Sequence, residues 1–339
     1  MQSSLLAGVL APRLTGMAGL RERLSRALAR SESDTVALPN LRWSIRIASH
    51  PDRRGDVWGD THFAASLQRA LVGLGQIAYV DRRGAPPRVD AHIDEVVLVI
   101  RGLHAVELPP DVTSMIWLIS HPDTVPVSEL ATYDHVFVAS APWAESLRSK
   151  GIDARVLLQA TEPAIFHPDL EADENSGDIV FVGRPRGVYR PVLRACLEAG
   201  IEPVIYGDGW EAFDLGRLVR STYLPAEQTA RVYATAAYVL NDHWSDMAEK
   251  GFISNRLFDA VATGARVISD EVAELDETFG GAVQVFRSPD DVLRLTDPAS
   301  DAFPSREERL RIAATTARDH SFDARALELI AAAATSSGN

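Results

Sequence analysis

The chain has 339 residues, 46% of them hydrophobic and 24% charged, with a formal net charge of −13. That length suits two domains of ordinary size, and the composition supplies two buried cores. The acidic balance argues against a nucleic-acid groove, which needs clustered Lys and Arg. The single cysteine, Cys196, forms neither an internal disulfide nor a zinc site and fits a reducing cytoplasm. No apolar run reaches the roughly 18–20 residues that span a bilayer.

Residues 1–40 read as a helical extension. Met1 to Leu10 lacks basic residues ahead of its apolar run, so no secretory signal is expected. Between Gly16 and Arg30, four arginines accompany Leu20, Leu24 and Leu28, a spacing that predicts an amphipathic helix. Such a helix packs on the first domain or on a partner subunit; contact with an anionic membrane surface is the alternative. Ser31 to Asn40 reads as a linker.

The first domain, residues 41–165, begins with the alternating strand Trp43 to Ala48. Thr61 or Asp60 is expected to cap a helix from Phe63 to Leu74, closed by Gly75. Further strands are predicted at Gln76–Val80, Val96–Ile100, Ser114–Ile119, His135–Ala139 and Ala154–Leu158, with a short helix over Pro142–Lys150. Strands alternating with helices at this spacing imply a doubly wound α/β domain. The polar segment Ala160 to Gly177 reads as the interdomain connection.

The second domain, residues 166–310, repeats the pattern. Strands are predicted at Asp178–Val182, Pro203–Tyr206, Ala237–Leu240, Arg266–Ser269 and Val283–Phe286, and helices at Pro191–Ala199, Ala226–Thr235 and Ser305–Asp319. Its most informative stretch runs from Asn241 to Asp270. There a strand leads through a polar loop into a helix starting at Ser254, and a second strand follows. A helix N-terminus has unpaired N–H groups and partial positive charge, which suit a phosphate. Asp259 lies about one and a half turns further in, where a carboxylate accepts hydrogen bonds from sugar hydroxyls such as those of ribose. Arg256 opposes the helix dipole, a cost that a bound anion offsets.

The same stretch resembles the donor-site segment of GT-B glycosyltransferases, in particular the bacterial "glycosyl transferases group 1" set that includes spore-maturation-type enzymes. The matching residues are Asn241, His243, Trp244, Gly251, Phe252, Ser254, Asn255, Arg256, Phe258, Asp259, Ala260, Gly264 and Val267 to Asp270. The segment from Gln159 to Pro168 resembles the family's linker, and His320-Ser321 with Arg325-Ala326 resembles its late H-S/T-x-x-x-R-A element. One departure stands out. Many retaining relatives carry two glutamates eight residues apart; here the second is Asp259 and the first falls on Gly251, with Glu249 the nearest carboxylate.

The resemblance implies two Rossmann-like domains facing a cleft, the donor on the second and the acceptor on the first. It implies a final segment, residues 311–339, crossing back to the first domain. The co-substrate would be a nucleotide-diphosphate sugar, with no metal and no other cofactor. Past the first strand of the second domain, Gly183 allows close backbone approach and Arg184 is a candidate for diphosphate oxygens. Tyr206, Gly207 and Trp210 form the next strand-end loop, and Tyr223 with Leu224 sits where relatives read the base. His243, Trp244, Gly251, Phe252, Ser254, Asn255, Arg256 and Asp259 complete the donor set. On the first domain Gly59, Asp60 and His62, then His121 and Asp123, are the acceptor candidates. Catalysis falls to Arg184 and Arg256 on the leaving diphosphate and, in an inverting enzyme, to His62 as base. The resemblance leans towards retention.

Other chemistries lack their motifs: there is no G-x-G-x-x-G after the first strand, no P-loop, no nucleophile elbow and no zinc spacing. Two alternatives remain open at this stage, a sugar-nucleotide epimerase of the same fold and a non-catalytic sugar-nucleotide-binding protein.

Overall fold

The structure, a computed structural model, describes residues 38–56, 58–170 and 177–336. The amphipathic helix expected between Gly16 and Arg30 and part of both expected linkers lie outside them. Two parallel sheets organise the chain. Sheet 1 comprises β1 (Arg42–Ile47), β2 (Ile77–Arg82), β3 (Val96–Arg101), β4 (Thr113–Leu118), β5 (His135–Val138) and β6 (Ala154–Val156). Its spatial order is β2-β1-β3-β4-β5-β6. Sheet 2 comprises β7 (Ile179–Val182), β8 (Val204–Tyr206), β9 (Val219–Ser221), β10 (Tyr238–Leu240), β11 (Val267–Ser269) and β12 (Val283–Val285), ordered β12-β11-β10-β7-β8-β9. The apolar runs in the sequence reflect this layering, since a parallel strand covered on both faces needs apolar side chains on both. All six residues of β3 are buried.

Strand order fixes where a ligand can sit. Sheet 2 has the doubly wound order in which the chain first winds one way from β7 through β8 to β9, then returns through β10 on the other side. Loops leaving β7 and β10 therefore diverge and open a crevice at their carboxyl ends. In sheet 1 the same divergence occurs between β1 and β3. The two-domain α/β expectation is met at the level of strands, except that β9 was not foreseen. A three-residue edge strand is too short to show an alternating pattern.

One helix departs from expectation in a way that matters for the site. It runs from Gly59 to Gly73, starting before both proposed caps, and no side chain caps it. Thr61 instead donates its hydroxyl to the Gly55 carbonyl at 2.7 Å. Asp60 is thereby the second helical residue.

The carboxyl-terminal helix Phe322–Ser336 packs in the core of sheet 1. Phe322, Ala326, Leu329, Ile330 and Ala333 form its buried stripe, at the spacing of one helical face. Phe322 meets Phe63 edge-on at 4.8 Å, and Phe63 meets Trp117 at 5.0 Å. Just before this helix, Ser321 bridges to Thr161 in parallel. Buried Arg325 donates to the carbonyls of Leu158 (2.7 Å) and Gln159 (3.3 Å). The late H-S-x-x-x-R-A element thus holds the chain that crosses from one sheet to the other. Cys196 is buried in the helix Pro191–Glu198. No described helix is long and apolar enough to cross a membrane.

Candidate active site

A cavity of about 520 Å³ lies between the carboxyl ends of the two sheets. Its second-domain wall is built on a chain of part-buried hydrogen bonds. His243, just past β10, donates Nδ1–H to Asp270 Oδ1 (2.6 Å) and accepts the Ser254 amide at Nε2 (3.0 Å). That amide can only donate, so the ring proton sits on Nδ1. Burial alone would raise the Asp270 carboxyl, but the hydrogen bonds from His243 outweigh it and hold it below its ordinary value. Asn241 donates to Ser269 Oγ (2.9 Å) and accepts from Ser254 Oγ (3.1 Å) and Arg256 Nη1 (2.7 Å). These bonds fix the start of the helix Asn255–Ala262 and aim Arg256 at the cavity.

Behind Arg256 the backbone is crowded. A Cβ on Gly183 would lie 2.9 Å from Arg256 Nη2, and one on Gly207 would lie 2.2 Å from the Gly183 carbonyl oxygen. Both glycines also have positive φ, 157° and 145°, so they are needed for conformation and for space. Trp210, fully buried, donates its indole N–H to the Gly183 carbonyl at 3.0 Å.

The second cation of the wall is Arg186, which the sequence reading missed. Its φ of 59° turns it out of the β7 loop, and its guanidinium lies 4.7 Å from the Trp244 ring centre. It lines the cavity with Arg256. Neither guanidinium has a carboxylate at ion-pair distance among the described residues. Burial first, and then the neighbouring Arg256, push Arg186 down to about 9. Arg190, also unforeseen, is buried against Asp242 and donates to the Arg184 carbonyl at 3.1 Å, pinning the same loop. Arg184 itself is half exposed and pairs with Asp208 at 2.5 Å.

Asp259 completes this wall. Its Oδ1 accepts from the Thr161 hydroxyl (2.8 Å) and its Oδ2 from the Asn255 amide (2.9 Å). Burial pushes its carboxyl up to about 8, against the pull of those two bonds.

The opposite wall carries Gly59, Asp60, His62 and Arg69 on one helix, with Ser120 and His121 past β4. Glu162, from the crossover, is held by Arg69 (2.6 and 2.8 Å) and Ser66 (2.7 Å). Burial raises it, yet those partners win and keep it below its ordinary value. Burial lowers His62, with Arg69 and Arg82 adding to the effect. His121, with φ 52°, places its ring 5.2 Å from Trp244 across the cleft.

Of the residues singled out in the sequence, Leu224, Trp244, Ser254, Asn255, Arg256 and Asp259 meet Gly59, Asp60, His62 and His121 around this one cavity. The others lie around or behind it. Gly183, Gly207, Trp210 and His243 shape the wall, while Arg184 faces outward and Tyr223 is exposed. Tyr206 and Phe252 are buried in hydrophobic clusters. Asp123 pairs with Lys250 across the domains at 2.7 Å. Gly251, φ 73°, packs on Pro142 and Ser140 of the first domain. No group of three or more metal-ligating side chains occurs among the described residues.

The comparisons agree with this architecture. Residues 186–331 match the model of a family described as glycosyl transferase-like. AviGT4, a glycosyltransferase involved in avilamycin A biosynthesis, aligns over 86% of this chain and 97% of its own, with 18% identity and a TM-score of 0.59. The α,α-trehalose-6-phosphate synthase of Burkholderia multivorans aligns over 88% and 97%, with 11% identity and a TM-score of 0.58. The catalytic domain of starch synthase IV from Arabidopsis thaliana, bound to ADP and acarbose, aligns over 89% and 100%, with 10% identity and a TM-score of 0.55. No curated protein matches the chain by sequence. The chain therefore has the GT-B fold, and the part of it from residue 186 to 331, which contains the stretch Asn241 to Asp270, is similar to the glycosyl transferase-like family.

Proposed function

We propose that this protein transfers a sugar from a nucleotide-diphosphate donor to an acceptor, with arginines rather than a divalent metal facing the leaving diphosphate. The observation that carries the reading is the pair Arg186 and Arg256, two cavity-lining guanidiniums without a carboxylate at ion-pair distance among the described residues, beside the N-terminus of the helix Asn255–Ala262. Placing two like charges together is costly unless an anion joins them. A diphosphate has the required charge, and guanidinium groups match its oxygens. Starch synthase IV, which shares the fold, is bound to ADP in its structure.

In this reading the bond between the anomeric carbon and the diphosphate breaks, and its electron pair goes to the diphosphate oxygen. Arg186, Arg256 and the first-turn amides stabilise that developing charge. Asp259 accepts from the ribose hydroxyls. Leu224, Ala226 and Ile165, which line the same cavity, offer an apolar seat for the base. The acceptor approaches from the wall of Asp60, Ser120 and His121.

Gly251 supports a second reading, of a protein that binds the donor without turning it over. It leaves no carboxylate where many relatives have their first glutamate. Purified protein with a panel of nucleotide sugars tests both. Thermal stabilisation by a nucleoside diphosphate together with release of that nucleotide from its sugar supports transfer. Stabilisation with no release against any acceptor supports the second reading, and no stabilisation by any nucleotide ends both.

A further inference from the structure

Sheet 2 has a second cavity, of about 350 Å³, at its other end. The cleft lies past the carboxyl ends of the strands, and this cavity lies at their amino ends. Ile179 and Tyr238, the first residues of β7 and β10, form one wall with Arg266, just before β11. Thr296, Ser300 and Phe303, from the end of the helix Pro289–Thr296 and the segment after it, form the other. Strands β10 and β11 have three residues each, so about 10 Å of sheet separates the two sites.

Arg266 supplies the charge of this cavity. It is half-buried, and no hydrogen bond or ion pair engages its guanidinium among the described residues. Its recorded contact is the Tyr238 ring, 5.8 Å away at the centre, and the Phe303 ring lies 5.6 Å from that of Tyr238. No Asp or Glu is among the described residues that line the cavity, although the whole chain carries −13. Asp297, between two lining residues in sequence, is turned to the Ala299 amide at 2.8 Å. Positive charge extends behind the wall: burial lowers the proton affinity of Arg309, and Arg266 and Arg306 lower it further. On the facing wall, Ser300 Oγ accepts the Ala302 amide at 3.4 Å, and its own O–H has no acceptor among the described residues.

A guanidinium withdrawn from bulk water without an acceptor is costly, and an oxyanion supplies one. The helix Pro289–Thr296 ends on this rim, and its carbonyl pole disfavours a bare anion. The two rings offset that by taking a flat body. The volume is near the lower limit of small-molecule sites, roughly 300–1,000 Å³. It has room for one or two rings and an oxyanion, and too little for a nucleotide sugar.

We propose that this cavity is a ligand site separate from the cleft. It takes a small aromatic anion whose carboxylate or phosphate group pairs with Arg266 and whose ring lies against Tyr238 and Phe303. The site goes beyond sugar transfer and stands whether or not that reading holds.

The experiment titrates the full chain with 4-hydroxybenzoate, indole-3-acetate and phenyl phosphate, followed by calorimetry and ligand-observed NMR. Acetate serves as the anion without a ring, and indole as the ring without a charge. At least one aromatic anion binds, more tightly than acetate or indole, and comparing phenyl phosphate with the two carboxylates identifies the preferred oxyanion. Arg266→Gln lowers that affinity by roughly tenfold or more, as expected for loss of a charge-assisted hydrogen bond, and Arg266→Lys restores part of it. Phe303→Leu keeps an apolar wall without the ring and also weakens binding, which serves as the test if Arg266→Gln fails to fold. Arg256→Ala, in the cleft, leaves the affinity unchanged, and so do saturating UDP and ADP. Failure of all three aromatic anions to bind the wild-type protein overturns the proposal. So does acetate binding equally well, undiminished binding to Arg266→Gln or to Phe303→Leu, or displacement of the aromatic anion by either nucleoside diphosphate.

Discussion

The Thr161 hydroxyl donates to Asp259 at 2.8 Å, across 98 residues of sequence. Thr161 belongs to the segment that crosses from sheet 1 to sheet 2, and its backbone is hydrogen-bonded to His320 and Phe322. The carboxylate proposed to hold the donor ribose is therefore also a point where the second domain grips the crossover.

Asp259 should make the protein pH-sensitive in a defined direction. Burial raises its carboxyl to about 8, against about 3.9 in an unfolded chain. The folded state then binds the proton more tightly. Its contribution to stability is complete below the unfolded value and is lost as pH rises through the folded one. Wild-type protein should lose thermal stability between neutral pH and pH 9, and Asp259→Asn should lose less over the same range. Parallel melting curves for the two proteins would refute this. Above pH 8, where Asp259 is ionised, the variant should also bind nucleoside diphosphate more weakly than wild type, because an amide is a poorer acceptor for two hydroxyls than a carboxylate.

Arg186 and Arg256 should behave as ligand-binding charges. Arg186→Ala removes one of two adjacent cations, so its effect on folding should stay within about 1 kcal/mol. Nucleoside diphosphate affinity should fall by roughly tenfold or more, as expected for a charge-assisted hydrogen bond worth about 1.5–3 kcal/mol. Calorimetric titration at two salt concentrations checks this. Equal affinity in wild type and variant would remove Arg186 from the site.

How far the sequence foretold this site depends on the scale at which each residue is placed. Ser254, Asn255, Arg256 and Asp259 were legible because one strand, loop and helix in succession set their directions. The choice between Arg184 and Arg186 was not. Two residues apart in a turn, they differ by a single backbone conformation, φ 59° at Arg186, and the first pairs with Asp208 while the second lines the cavity. Asp60 was read as a possible cap because the helix was expected to start a few residues later. The Arg69–Glu162 pair spans 93 residues, and no local pattern announces such a contact. His243 was recognisable as part of a motif, but its role in capping a helix depends on Asp270 arriving from the next strand.

His243 should be a stability residue first. Its two nitrogens join Asp270 to the Ser254 amide, and its side chain is fully buried. His243→Ala leaves the Ser254 N–H without its acceptor, a loss of about 1–3 kcal/mol, while Asp270 keeps the backbone N–H of residue 243 and the Ser269 hydroxyl. Urea unfolding should show that loss with an unchanged slope. A fully stable His243→Ala protein that no longer binds nucleotide would instead give the imidazole a direct ligand contact.

Arg325 tests the crossover itself. Its guanidinium reaches the carbonyls of Leu158, Gln159 and Asp319 and the carboxylate of Glu328, while its own surface is nearly all buried. Burial lowers its proton affinity, and Glu328 partly restores it. Lysine offers one compact charge where the site uses a planar fork of donors, so Arg325→Lys should fail to rescue. Arg325→Ala leaves the carbonyls of Leu158 and Gln159 without their guanidinium donor, at about 1–3 kcal/mol for each group left unsatisfied, while Glu328, partly exposed, can turn to water. The two domains share this segment, so the loss should appear as one cooperative transition at lower denaturant. Two separated transitions, one per sheet, would show that the crossover does not couple them.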